Sequence, residues 1–159
     1  MRKISRGTLV IGVALVVALV GTVGVGAQQN AKPKKNVGCS DATIKGAWGI
    51  QISGTQPSAP NGPIESVIGI IIRHYDGHGQ FTQVDNVKGS ITGIVPDRPG
   101  FGTYQVNEDC SVVAQLPLGP GLVLEERQVI VDDGNEIRSM VSLPLPVMVT
   151  GVYKRIDAR

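Results

Sequence analysis

His74, Asp76 and His78 lie within five positions of one another, in His74-Tyr75-Asp76-Gly77-His78. Imidazole and carboxylate are the donor types of a zinc or copper site. On an extended chain His74 and Asp76 leave the same face, two residues apart, and His78 sits at the tip of the following turn. The chain holds no other histidine, so a full ligand set needs donors from elsewhere. The simpler reading is a turn in which Asp76 accepts from backbone amides and His78 is solvated, and no metal or other cofactor is expected.

A second polar group alternates along two segments. Gln83 and Asp85 share one strand face, Glu126 and Gln128 share another, and Arg138 stands opposite in the hairpin that follows. Pointed inward, Arg138 with Glu126 or Asp85 makes a buried charged cluster able to orient a carboxylate or carbonyl. Charged groups are seldom fully buried, so the expectation is that these faces meet solvent. The pairs Asp132-Asp133 and Glu125-Glu126 resemble an acid and a base on paper. Neighbours on a strand point to opposite faces, so neither pair can serve one substrate atom, and Asp132-Asp133 reads as turn chemistry. The sequence holds no Gly-x-Ser-x-Gly elbow, phosphate loop or His-Glu-x-x-His helix.

Met1 to Gly7 carry Arg2, Lys3 and Arg6 and precede an apolar run, Leu9 to Val25, that ends in Val25-Gly26-Ala27. This is the layout of a secretory signal over residues 1–27, cut after Ala27. The run also reaches the lower length limit of a membrane span, so an uncleaved anchor is the alternative. After cleavage no integral membrane span is expected, and the protein is placed outside the cell or in the periplasm. The formal charge of +2 loses those three cations with the signal and falls to −1, which gives no reason to expect a nucleic-acid partner. Residues 28–38, with Lys32, Lys34 and Lys35 around Pro33, read as a solvated flexible linker.

In an oxidising compartment Cys39 and Cys110, the chain's two cysteines, are read as one disulfide. A nucleophilic cysteine would need a nearby histidine and a reducing setting. Closing a loop of about 70 residues is worth about 3 to 4 kcal/mol in the chain-entropy picture.

These groups are carried on strands. Rings are few, with six Phe, Trp and Tyr together, and glycine is abundant at 21, a balance that favours strands and tight turns. Ile64 to Tyr75 is β-branched and nearly continuous, as a strand covered on both faces would be, and it turns at Asp76 to Gly79 into Gln80 to Val87. Gly46 to Ser53 is a short strand, followed by a proline-rich loop from Gly54 to Pro63. Ser90 to Ile94 reads as another strand, broken by Pro96-Asp97-Arg98-Pro99-Gly100. Phe101 to Asn107 with Cys110 to Leu116, and Leu122 to Val131 with Glu136 to Leu143, form two more hairpins, and Val147 to Arg155 closes the chain. Eight or nine strands at this spacing make a sandwich or a closed barrel. Closure removes the sheet edges, so residues 39–156 are read as one all-β, antiparallel up-and-down barrel of about eight strands. Its first strand, Gly46 to Ser53, then pairs with Val147 to Lys154.

Several motifs recur in a familiar order: Cys39-Ser40, Ile44-Lys45-Gly46-Ala47-Trp48-Gly49, Tyr75-Asp76-Gly77-His78-Gly79, Gly102 through Cys110, and Gly151-Val152-Tyr153-Lys154-Arg155. In them the chain resembles a group of small secreted bacterial proteins of unknown function. The resemblance implies a calycin-like or allene-oxide-cyclase-like β-barrel and carries over no catalytic residue. On this reading the protein binds a small, partly apolar ligand in the barrel mouth or interior without catalysis, and Trp48, Gln83, Tyr104, Gln105, Gln128 and Arg138 are the candidate binding residues. The alternatives are a structural or cell-surface interaction module with a filled barrel, and an isomerase or cyclase with its titratable group at Glu126 or Asp85.

Overall fold

Runs of β-branched residues punctuated by Asp, Asn and Gly turns give eight strands. A computed structural model describes residues 38–156. The strands are β1 (Gly46–Pro57), β2 (Ile64–Tyr75), β3 (Gln80–Gly89), β4 (Gly93–Val106), β5 (Ser111–Gly119), β6 (Leu122–Val131), β7 (Glu136–Leu143) and β8 (Met148–Arg155). Each pairs antiparallel with the next, and β8 returns to β1 from Trp48↔Arg155 to Thr55↔Met148, which closes the barrel. The all-β architecture, the strand count and the first-to-last pairing agree with the sequence reading. The expected signal over 1–27 and all of the linker but Gly38 lie outside the described residues. Among the described residues no helix is long and apolar enough to cross a membrane.

Alternating connections gather at opposite ends. At one end the turns after β2, β4 and β6 meet a 3₁₀ turn, Asp41–Ile44, that plugs the barrel. Ile44 is fully buried, and its carbonyl accepts a hydrogen bond from Trp48 Nε1 at 2.8 Å. Arg155 stacks over the Trp48 ring at 4.5 Å and donates to the carbonyls of Thr43, Lys45 and Gly134. The Cys39–Cys110 disulfide, with a Cα separation of 5.0 Å, ties this plug to the β4–β5 turn. Above it, Tyr75, Phe81, Tyr104, Val112, Ile130 and Ile137 fill the lower half of the barrel.

Four local expectations are corrected. β1 runs on through Gly54 to Pro57, because β2 continues to supply partners out to Pro57↔Ile64. β4 passes unbroken through Pro96 to Gly100, because a bulge opposite Asn86 absorbs the irregularity between Asp85↔Arg98 and Val87↔Val95. β2 is not covered on both faces: closure buries Val67, Ile71, Arg73 and Tyr75 and leaves Ile64, Ile68, Ile70 and Ile72 outside. The polar faces of β3 and β6 point inward, not to solvent.

A polar layer across the barrel lumen

The Asp76–Gly79 turn sets the register of β2 on β3. Asp76 Oδ1 accepts from the His78 and Gln80 amides at 2.7 and 2.9 Å, which holds the turn as expected, and His74 and His78 are exposed. From that turn the ladder runs Tyr75↔Phe81, Arg73↔Gln83, Ile71↔Asp85, so Arg73 and Gln83 enter the lumen side by side. Glu126 and Gln128 enter from β6, on the far wall.

Arg73, with no exposed surface, reaches across to Glu126 and grips it through both terminal nitrogens. Nη1 lies 2.9 Å from Oε2 and Nη2 3.1 Å from Oε1. Its Nε donates to Gln83 Oε1 at 2.9 Å, and Nη1 also meets the hydroxyls of Tyr75 and Tyr153. The guanidinium stacks 4.2 Å above the Phe81 ring. Glu126 Oε2 accepts two further hydrogen bonds at 2.6 Å, from Gln128 Nε2 and Tyr153 OH. Burial pushes the Glu126 carboxyl up, but the adjoining guanidinium and these donors outweigh it and hold its pKa below the ordinary value. Burial likewise weakens the charge on Arg73, and the Glu126 carboxylate more than restores it. Burial raises the phenols of Tyr75 and Tyr153.

A second ion pair lies nearer the mouth. Asp85, 2 % exposed, accepts from Arg98 Nε at 3.0 Å, from Arg98 Nη2 at 3.3 Å and from Gln83 Nε2 at 3.1 Å. The β4 bulge makes this contact possible. Inward residues below it are even-numbered (Gly102, Gly100, Arg98) and pair with the inward odd residues Phe81, Gln83 and Asp85 of β3; above it Val95 pairs with Val87. Without the extra residue one of the two sets would face outward. At the rim Glu65, 1 % exposed, accepts from the amides of Ile91 and Thr92, the Thr92 hydroxyl and Gln56 Nε2. Chiefly the Thr92 and Ile91 amides hold its pKa down to about 2.

Above this layer the lumen is not filled. A cavity of about 110 Å³ has Arg73, Gln83, Asp85 and Glu126 as its floor and Ile52, Ile71, Leu116, Leu124, Val141 and Val149 among its walls. That volume holds about three or four waters, or the tip of a ligand. It adjoins an apolar groove of about 620 Å³ at the mouth, between the β1–β2, β5–β6 and β7–β8 connections, and the two share Gln56, Leu118, Leu124 and Val147 as lining.

The candidate residues from the sequence separate into three groups. Gln83 stands on the cavity floor and Gln128 directly beneath it. Trp48 and Tyr104 face the packed lower half, where Tyr104 OH accepts from the Gly77 amide at 2.9 Å and donates to the Asp41 carbonyl. Gln105 and Arg138 are on the outer surface. Arg138 is corrected in particular: its partner is Glu136, which also binds Lys154 on the outside of the barrel, and the cation facing Glu126 is Arg73. Outward placement follows from parity, since Arg138 neighbours the inward Ile137 and Ser139. Arg73 and Arg98 were not among the sequence candidates. The register from the Asp76–Gly79 turn could have placed Arg73 beside Gln83; nothing local announces the bulge that aims Arg98. Among the described residues no group of His, Cys, Asp and Glu is arranged to hold a metal.

No family model matches the chain, and no curated protein is significantly similar to it in sequence. Among solved structures it is similar to a redesigned β-barrel, at 12% identity over 74% of this chain and 95% of that one, with a TM-score of 0.43. It is also similar to the S-type phycobiliprotein lyase CPES from Guillardia theta, at 9% identity over 75% and 92% of the two chains, TM-score 0.42. A third is Rv2717c from M. tuberculosis, at 14% identity over 73% and 94%, TM-score 0.38.

Proposed function

We propose that the protein is an exported, non-catalytic barrel that binds a small, partly apolar molecule through its open end. One observation carries this reading: the lower lumen is packed solid, whereas the upper lumen is an aliphatic-walled cavity on a polar floor, adjoining an apolar groove at the mouth. An apolar wall with a few oriented polar groups is the usual make-up of a small-molecule site. The disulfide supports an extracellular or periplasmic setting. Glu126 supports a binding role over a catalytic one. Acid–base work near neutrality needs a carboxyl raised toward 7, and Arg73 holds this one ionised and below its ordinary value.

The test is binding of an environment-sensitive apolar dye, together with native mass spectrometry of protein purified from its own source. Val147 borders both the cavity and the groove, so Val147→Phe narrows the passage between them. Dye binding is expected in the wild type and lost in Val147→Phe with the melting transition unchanged. A wild type that takes up no dye and carries no ligand would refute the proposal.

A second reading, a surface interaction module, is favoured by the outer wall of β2 to β4. There Ile68, Ile70, Ile72, Val84 and Phe101 are each 45 % or more exposed on adjoining strands. Concentration-dependent association in light scattering, abolished by Ile70→Lys, would favour that role.

A further inference from the structure

The charges and hydrogen-bonding capacity of the lumen point to the chemical class of the ligand's inner end, an inference that rests on the binding role proposed above. The cavity wall holds two cations, Arg73 and Arg98, and two anions, Asp85 and Glu126. Each cation is spent on its own carboxylate through two nitrogens. Among the described residues the other buried charge at the rim is negative, Glu65, already saturated by backbone amides, a hydroxyl and an amide side chain. A carboxylate or phosphate entering this space therefore meets no unclaimed cation and three fixed anions. A cationic head meets carboxylates whose oxygens are taken: both of Asp85, and Glu126 Oε2 three times over. Burying an unpaired charge of either sign is strongly unfavourable.

What the floor retains is mainly donors. Arg73 Nη2 carries two hydrogens and gives one, to Glu126 Oε1; Gln83 Nε2 carries two and gives one, to Asp85. Ser139, also on the wall, has a hydroxyl with no hydrogen-bond partner among the described residues. We propose that the lumen selects an uncharged carbonyl compound, a ketone, ester or amide, whose oxygen accepts from Gln83 and Arg73 on the floor while its aliphatic remainder lies along the cavity wall and the mouth groove. The oxygen supplies what these donors lack and leaves both ion pairs intact. Because a donor site discriminates strongly against ligands without the matching acceptor, the carbonyl is the feature selected and the chain is tolerated.

The experiment is calorimetric titration of the folded, disulfide-bonded protein with four compounds of equal chain length: a methyl ketone, a carboxylate, a primary amine and the parent hydrocarbon. The ketone is expected to bind at least about tenfold more tightly than each of the other three. Gln83→Leu is expected to bring the affinity for the ketone down toward that for the hydrocarbon. A carboxylate or amine that binds as tightly as the ketone, or a ketone no better than the hydrocarbon, overturns this inference and leaves the binding role standing. Failure of all four compounds to bind overturns both.

Discussion

Replacing Glu126 with leucine removes the counter-charge of a fully buried arginine. Arg73 would keep its hydrogen bonds to Gln83 and to the two tyrosines, but it makes no other ion pair among the described residues. Tyr153 OH would lose its acceptor at the same time, and Gln128 Nε2 one of its two. Breaking one side of a buried ion pair costs about 3 to 5 kcal/mol, which at about 4 °C per kcal/mol lowers the melting temperature by about 12 to 20 °C. Arg73→Met alone costs a similar amount, because it strands Glu126. The double variant, with two apolar side chains in place of the pair, is expected to fall within about 1 to 3 kcal/mol of the wild type, since only neutral neighbours such as Gln83 Oε1 and Tyr153 OH then lose a partner. The two losses are thus strongly non-additive, with a coupling of about 3 kcal/mol or more. Trp48 is the only tryptophan and has no exposed surface, so its emission reports global unfolding in a denaturant titration. A single-variant loss below about 1 kcal/mol, or a double variant as unstable as the two singles summed, would refute the claim that this bridge is a coupled buried unit.

Three further outcomes follow from the same geometry. All three tyrosines, Tyr75, Tyr104 and Tyr153, have raised phenol pKa values through burial; their stabilising effect is complete below about pH 10 and is lost as pH climbs through the folded values. Tyrosinate absorbance should therefore rise only together with loss of the Trp48 signal, and a phenol ionising in the native protein would contradict the burial. Glu65 titrates near 2 when folded, against an ordinary 4.5, so its contribution is complete above about pH 4.5 and disappears as pH falls through about 2. In Glu65→Gln the decline in denaturation midpoint across that window should be shallower, and an identical decline would count against the rim clasp. Cys110→Ser releases a bridge spanning 71 residues and should cost about 4 to 4.5 kcal/mol in the chain-entropy picture, read as a clear drop in melting temperature; an unmoved transition would argue that the bridge constrains nothing.

The hairpins were legible in the chain because turn chemistry is local. Asp76 and Gly79 announce a reversal, Asp132 to Asn135 announce another, and the strands on either side, Ile64–Tyr75 and Leu122–Val131 with Glu136–Leu143, have the boundaries those turns imply. The strand through Pro96 and Pro99 was not legible, since a proline pair reads as a break unless a bulge in that same strand takes up the mismatch with its partner. The inward placement of Gln83, Asp85, Glu126 and Gln128 was misjudged for a related reason. Each is costly to bury alone, and the cost is offset only by partners contributed from other strands.

Residue order and local chemistry are enough to specify short antiparallel strands, a first strand that meets the last, and Cys39 and Cys110 as the two cysteines available to staple the domain. Which face of each strand lies inside is set by closure of the barrel. On β2 the more apolar face, with Ile68, Ile70 and Ile72, is the outer one, and the arginine is within. Alternation along a strand specifies two faces but does not say which one the barrel will enclose. The partner that makes Arg73 affordable inside, Glu126, lies 53 residues along the chain on the opposite wall, and only closure of the whole sheet brings the two together.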